Sequence, residues 1–266
     1  MVPILTIVNM FITLILIFGL PVVFILYFKG KKGTFKALSA GALGFFLGQY
    51  IFRQPLIGLA FNSEAFSFLF SNNLLYAITL GFSAGLFELL GRMFIISVFL
   101  KGLNQKHHVL AAGFGHGVFE AILVVGFTYV NNILIAFMIN NGTISNLLGS
   151  GVDQALIDQV ITYMTTTNSW YFLIGGFERM LALIIHTALT ILVFMGYKTK
   201  KYLPFFALAL ATHTLLDVSV VYLQLLLVPI WVVELVVLAF AFMGIIVIKK
   251  FIELKNFNES ESQATI

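Results

Sequence analysis

The stretch PILTIVNMFITLILIFGLPVVFILYFKGKK, residues 3–32, decides the class of fold. Residues 3–28 carry no charged side chain, and Lys29, Lys31 and Lys32 follow directly. An apolar helix needs about 20 residues to cross a bilayer, and lysines collect at the cytoplasmic ends of such helices. The stretch lacks the short apolar core and small-residue cleavage site of a signal peptide, so it is predicted to be a retained membrane span.

The composition extends this interpretation to the whole chain. Of its 266 residues, 60% are hydrophobic and 10% are charged, against about 45–50% and about 25% in a soluble domain. A soluble globule and a separate soluble catalytic domain are therefore excluded. The chain has no cysteine, which also excludes disulfides, thiolate nucleophiles and thiolate metal ligands.

Similar apolar runs, bounded by Lys, Gly, Pro or Asn, recur along the chain. They predict an all-α fold, a polytopic membrane helix bundle with about seven transmembrane helices. We expect residues 1–250 to form a single transmembrane domain, in which 140–169 is an outer loop with a short interfacial helix. The polar segment 251–266 is expected to be a disordered cytoplasmic tail. The predicted spans are 3–28, 37–61, 74–100, 108–139, 170–196, 202–225 and 228–248.

The twelve lysines fall into four clusters, each after an odd-numbered span. The positive-inside rule then places the N-terminus outside and the C-terminus in the cytoplasm. The net charge of +4 thus reflects membrane topology and predicts no nucleic-acid partner. We expect a multi-pass protein of the bacterial cytoplasmic membrane, in contact with the lipid bilayer. His107 and His108 adjoin one lysine cluster and are expected to be solvated.

A second set of ionisable residues lies inside the predicted spans, where a charge costs about 2.5–3.5 kcal/mol on insertion scales. Such residues are functional candidates by default. Several are four residues apart and so share one helix face. These pairs are Glu88 with Arg92, His116 with Glu120, and His213 with Asp217.

Depth along the spans groups these residues further. Counting about 1.5 Å per residue from the lysine side places five of them in one layer about 12–18 Å deep. A shared layer on four helices favours a functional site, although Glu88 with Arg92 equally fits a structural ion pair. The five are Glu88, His116, Glu120, His186 and His213.

Three further charges in the spans are interpreted as support. Arg53 precedes Pro55 and is expected to brace the break that a proline makes in a helix. Glu178 and Arg179 are expected to pair with each other or with Arg53.

Five motifs in order carry a resemblance to a known family. They are Phe52-Arg-Gln-Pro-Leu56, Gly85-Leu-Phe-Glu-Leu-Leu-Gly-Arg92, Gly113-Phe-Gly-His-Gly-Val-Phe-Glu-Ala-Ile122, Glu178-Arg-Met-Leu-Ala-Leu-Ile-Ile-His186 and His213-Thr-Leu-Leu-Asp217. Together they resemble the YhfC family of bacterial intramembrane proteases. Through that family the chain is similar to the clan of CAAX-processing, bacteriocin-immunity and PrsW-type glutamic intramembrane proteases.

The resemblance implies roles for the site residues. Glu88 and Glu120 become candidate general bases, and His116 and His186 orient water or a carboxylate. His213 with Asp217 takes the place of the motif that polarises the scissile carbonyl. Arg92, Arg53, Glu178 and Arg179 remain supporting residues.

One position departs from the family. The first motif there usually has two adjacent glutamates, whereas this chain has Leu89 after Glu88. The departure favours, as an alternative, a catalytically inactive scaffold or an immunity-type membrane binding protein.

The leading prediction is an intramembrane endopeptidase. It would hydrolyse a peptide bond of a membrane protein or membrane-associated peptide with water activated by glutamate and histidine. A metal-dependent variant ranks second, because no HExxH motif is present and buried His and Glu can act without metal. In that variant His116, His186 and His213 bind zinc and a glutamate is the base. A proton-coupled transporter ranks third, because the two halves of the chain show no repeat.

Overall fold

The fold is described from a computed structural model that covers residues 1–103 and 105–254. In this part of the chain, seven helices are long and apolar enough to cross a bilayer, as the sequence predicts. With one shorter helix they are α1 (Ile4–Tyr27), α2 (Thr34–Phe61), α3 (Asn73–Val98), α4 (Lys106–Asn140), α5 (Gln154–Thr166), α6 (Ser169–Thr199), α7 (Tyr202–Leu225) and α8 (Ile230–Glu253).

Short 3₁₀ helices at Glu64–Phe70 and Ile144–Ser150 precede α3 and α5. The predicted tail, residues 251–266, overlaps the last turn of α8, and from residue 255 it lies outside the described residues. The placement of the N-terminus outside the cell stays a prediction.

Apolar side chains cover the exposed faces of these helices, and many polar ones are buried. Ile15, Leu203 and Phe242 are among the large apolar residues that are exposed, whereas Asn9 and Gln49 are buried. In water this distribution would be unfavourable, but in a bilayer the acyl chains cover the apolar faces. The protein is therefore a multi-pass membrane protein.

The chain divides into two compact units. Unit 1 comprises Met1–Tyr27 and Glu120–Met180, and unit 2 comprises Phe28–Phe119 and Leu181–Ile266. The single domain expected over residues 1–250 stays a prediction.

Unit 1 is held by an apolar core and by hydrogen bonds between chain segments distant in sequence. The Val2 amide donates to Asn140 Oδ1 at 2.7 Å, and Thr13 Oγ1 donates to the Phe172 carbonyl at 2.9 Å. The short helix expected in the 140–169 loop is α5, whose Met164 is buried; its position at the bilayer interface stays a prediction. The core consists of Val2, Met10, Ile133, Ala136, Met164 and Phe172.

Glycines let the helices of unit 2 approach closely. A Cβ added at Gly48 of α2 would lie 2.6 Å from the Phe87 carbonyl oxygen of α3. One added at Gly85 of α3 would lie 2.8 Å from Thr214 Oγ1 of α7. Real side chains do not fit at such distances, so these small residues set the spacing of α2, α3 and α7.

The break expected at Pro55 is a local widening of α2. Residues Phe46–Arg53 are π-helical and end two residues before the proline. A proline has no N–H and its ring crowds the carbonyl four residues earlier, which a wider turn accommodates. This stretch carries both Gln49 and Arg53.

The start of α4 corrects one expectation. His108, expected to be solvated, is only 5% exposed. Its Nε2 lies 2.9 Å from the Lys32 carbonyl oxygen, and its Nδ1 accepts the Gln105 amide at 3.3 Å. His108 therefore ties the turn before α2 to the turn before α4.

A buried glutamate–histidine cluster as candidate active site

Glu88 of α3 is the centre of a buried cluster in unit 2. Its Oε2 lies 2.9 Å from His116 Nε2. The Nδ1 atoms of His186 and His213 lie 3.5 Å and 3.6 Å from the same oxygen. All four side chains are buried. Three imidazoles, one each from α4, α6 and α7, thus converge on one carboxylate oxygen of α3.

Small residues make this convergence possible. Gly117 follows His116 directly, and a Cβ added there would lie 3.3 Å from the Cβ of His186. The ring centroids of His116 and His186 are 5.2 Å apart, and those of His186 and His213 are 5.4 Å apart. The close approach of the helices therefore brings the His186 ring against the rings of both His116 and His213.

Arg92 supplies the positive charge of the cluster. Its Nη2 donates to Glu88 Oε2 at 3.1 Å and contacts His186 Nδ1 at 2.7 Å, while its Nε donates to Thr190 Oγ1 at 3.3 Å. A guanidinium has only donors, so His186 Nδ1 accepts this hydrogen bond and carries its proton on Nε2. The Glu88–Arg92 pair inferred from the sequence is present.

Gln49 and Arg53 fix the other carboxylate oxygen. Gln49 Nε2 donates to Glu88 Oε1 at 2.7 Å, and Arg53 Nη1 donates to Gln49 Oε1 at 3.0 Å. Because the arginine can only donate, it sets the orientation of the glutamine amide. Arg53 is itself held by Ser83 Oγ and the Leu80 carbonyl, each at 3.0 Å.

Gln49 is a site residue that the sequence analysis does not single out. The available signal is a polar residue within a predicted span, one helical turn before Arg53.

Asp217 lies behind His213. Asp217 Oδ2 is 3.4 Å from His213 Nε2. An ionised carboxylate only accepts, so it favours the tautomer of His213 that carries its proton on Nε2. The lone pair of His213 Nδ1 then faces Glu88 Oε2. A carboxylate behind one ring nitrogen is the usual arrangement of a metal-ligating histidine.

The cluster contains a donor set of the kind that holds a metal ion. Ligand atoms of Glu88, His116 and His186 all lie within 4.8 Å of one another. Atoms around a tetrahedral zinc ion at about 2.0–2.1 Å lie roughly 3.3–3.4 Å apart. His186 Nδ1 and His213 Nδ1 lie 3.5 Å and 3.6 Å from Glu88 Oε2, close to this spacing, whereas the 2.9 Å between His116 Nε2 and the same oxygen is the length of a hydrogen bond. In addition, the tautomer above directs the lone pair of His213 Nδ1 toward an anionic oxygen, and a cation between them would relieve this repulsion.

The remaining candidates lie in unit 1. Arg179 Nη1 donates to Glu120 Oε1 at 2.8 Å, and its Nη2 donates to Glu178 Oε1. The structure thus places Glu120, the second candidate general base, against Arg179. The expected pairing of Glu178 with Arg179 is present, whereas Arg53 pairs elsewhere.

Comparisons with known proteins identify the family of this chain. Residues 15–237 match the family model described as YhfC intramembrane metalloprotease. The chain is 36% identical over 220 residues to the "Uncharacterized membrane protein YhfC" of Bacillus subtilis (strain 168), covering 78% of this chain and 81% of the relative. No solved structure matches. The match spans most of the chain and contains all of the Glu88 cluster, so this chain belongs to the YhfC intramembrane metalloprotease family.

Proposed function

We propose that this protein is a metal-dependent intramembrane endopeptidase that cleaves a peptide bond of a membrane-embedded substrate. The observation that carries the proposal is the convergence of three imidazole nitrogens on Glu88 Oε2, buried within a membrane-spanning bundle. His116, His186 and His213 would hold the ion, which would replace the hydrogen bonds that His116 Nε2 and His186 Nδ1 make with Glu88 and Arg92. A bound zinc ion supplies Lewis acidity to water and to the scissile carbonyl.

Glu88 is the proposed proton acceptor. One of its oxygens is committed to Gln49, while the other faces the histidines. Hydrolysis needs a base within hydrogen-bond reach of the attacking water, and a carboxylate beside the metal ligands satisfies that requirement. Arg92 balances the charge of Glu88 before the proton arrives.

The tautomer of His213 supports the metal-dependent variant over the metal-free one. In the metal-free mechanism His213 donates a proton or a hydrogen bond to the developing oxyanion. Its Nε2 proton is directed toward Asp217, so its Nδ1 has none to give the reacting atoms. A nitrogen with a free electron pair suits a ligand instead.

The test combines metal analysis with cleavage by the purified full chain. We expect wild-type protein to contain about one zinc per chain and to cleave transmembrane peptides until it is treated with a chelator. Glu88→Gln should keep most of the metal but lose cleavage, whereas His186→Ala should lose both. His107→Ala, outside the cluster, is the matched control. Cleavage by metal-free wild-type protein would refute the proposal.

A scaffold without protease activity is the second candidate. Its supporting observation is Leu89, a buried apolar residue where the related motif usually has a second glutamate. A metal-loaded wild type that cleaves no peptide, together with cleavage gained in Leu89→Glu, would favour the scaffold. Substrate flux in proteoliposomes without any peptide product would indicate a transporter instead.

A further inference from the structure

A basic cavity lies between the turn before α2 and the turn before α4. It measures about 630 Å³, and its lining includes Lys31, Lys32, Gln105, His107 and His108. Both turns belong to unit 2. No residue of the Glu88 cluster lines it, so the proposed peptidase chemistry does not account for it.

The segments that form these two turns contain no acidic residue. The sequence from Phe28 to Asn62 contains no Asp or Glu, and neither does the sequence from Leu89 to Phe119. Lys31 and Lys32 are exposed. A concave surface lined by charges of one sign concentrates counter-ions, here anions.

The shape of the cavity is fixed by buried contacts. His108 joins the two turns through the Lys32 carbonyl at 2.9 Å and the Gln105 amide at 3.3 Å. Gly33 has a φ of +81°, and an added Cβ there would lie 2.6 Å from His108 Nε2. Only glycine satisfies both demands. His107 Nε2 lies 3.3 Å from the same carbonyl, which holds its ring at the wall.

The beginning of α2 lies beside this cavity. Its N-cap residue, Gly33, provides no side-chain hydrogen bond to the first turn. The first amide groups of a helix have no partner within the helix and favour negative charge. The ammonium groups of Lys31 and Lys32 and the side-chain amide of Gln105 form a donor set for a multiply charged oxyanion.

We propose that this cavity binds a phosphate group. Two sources share that chemistry, the headgroup of an anionic phospholipid and a soluble phosphate. A phospholipid headgroup would be available at this position, because the cavity lies among lysines at the ends of membrane spans, where anionic headgroups gather. The site is independent of the peptidase, and its failure would leave the proposed function untouched.

The test measures phosphatidylglycerol binding to the purified full chain in neutral detergent by native mass spectrometry. The test variant is Lys31→Gln/Lys32→Gln/His107→Gln. The control is Lys200→Gln/Lys201→Gln, which removes neighbouring lysines of another turn. We expect the test variant to bind phosphatidylglycerol about tenfold or more weakly and the control to bind within about twofold of wild type. Phosphatidylcholine is the neutral-lipid comparison.

Competition with inorganic phosphate separates the two sources. Displacement of the lipid by millimolar phosphate would assign the site to the phosphate group itself, and no displacement would assign it to a lipid headgroup. If the triple variant fails to fold, the double variant Lys31→Gln/Lys32→Gln takes its place, because it changes only exposed side chains. Equal binding by wild type and either pocket variant, or an equal loss in the control, would overturn the proposal.

Discussion

The Glu88 cluster of unit 2 and the Arg179 cluster of unit 1 contain similar charged groups but differ in burial and in their partners. The Arg179 cluster consists of Glu120, Glu178 and Arg179. Each contains an arginine that forms a salt bridge with a carboxylate. The arginine is Arg92 in the first cluster and Arg179 in the second. The side chains of Glu88 and Arg92 are 4% and 2% exposed, whereas those of Glu120 and Glu178 are 15% and 24% exposed. Unit 2 therefore holds the more desolvated charges.

The partners of the carboxylates differ as well. Glu88 faces three imidazoles from three other helices, whereas Glu120 and Glu178 share one guanidinium. An arginine shared by two carboxylates compensates charge, but it offers no lone pair to a metal ion. Imidazoles directed at a carboxylate offer ligands and a base together. A buried ion pair is therefore a candidate catalytic site only where neutral metal-ligating groups, here imidazoles, lie beside it.

The largest difference should appear when each glutamate loses its charge. Glu88→Gln keeps the size of the side chain but removes the proton acceptor, and we expect about 10²–10⁴-fold slower cleavage. Glu120→Gln should slow cleavage by less than about tenfold. The measurement is single-turnover cleavage of a transmembrane peptide. Equal losses in the two variants would abolish the distinction between the clusters.

Removing each arginine should separate the clusters in stability. Arg92→Met leaves Glu88 buried without its charge partner, which costs about 3–5 kcal/mol of unfolding free energy. Arg179→Met acts on more exposed carboxylates and should cost about half of that or less. Unfolding in mixed detergent micelles measures both. A larger loss at Arg179 would show that unit 1 contains the more tightly coupled charges.

The two outlying acids have similar exposure and provide a matched pair. The side chains of Asp217 and Glu178 are 29% and 24% exposed. Asp217→Asn weakens the orientation of His213, and we expect about 10–100-fold lower zinc affinity. Glu178→Gln should leave zinc affinity unchanged, as measured by competition with a chelating dye. If both variants bind zinc like wild type, Asp217 does not orient a zinc ligand.

The smallest effect is expected at the glutamine that holds Glu88. Gln49→Leu removes one hydrogen bond to a buried carboxylate, which should lower kcat about tenfold with little change in KM. Gln54→Leu, on the exposed side of the same helix, is the control. A change confined to KM would assign Gln49 to substrate binding and not to the positioning of Glu88.

Much of the fold could be predicted because its signals are local. A run of apolar residues long enough to cross a bilayer is a span in any tertiary context, and lysine clusters mark its ends. Depth counting also grouped Glu88 with the three histidines, because polar residues at the same depth on packed helices lie close enough to contact one another.

What the sequence could not provide is the rotation of each helix. Glu120 lies one turn from His116, yet it contacts Arg179, because small differences in rotation decide which neighbour a long side chain reaches. Gln49 depends on the wide turn before Pro55 for its place beside Glu88. The lysines next to His108 in the sequence predicted a solvated side chain. In the structure His108 is buried against the turn before α2, where it contacts the Lys32 carbonyl.

The sequence by itself determined a membrane bundle of seven spans, its lysine-marked ends, and a layer of buried Glu and His residues. Only the tertiary structure decided that three imidazoles meet at one oxygen of Glu88, and that Gln49 fixes the other oxygen. The physical reason is the range of the forces. Transfer of apolar residues into lipid is a sum over consecutive residues, whereas hydrogen bonds and metal ligation require atoms from separate helices to meet within about 3 Å.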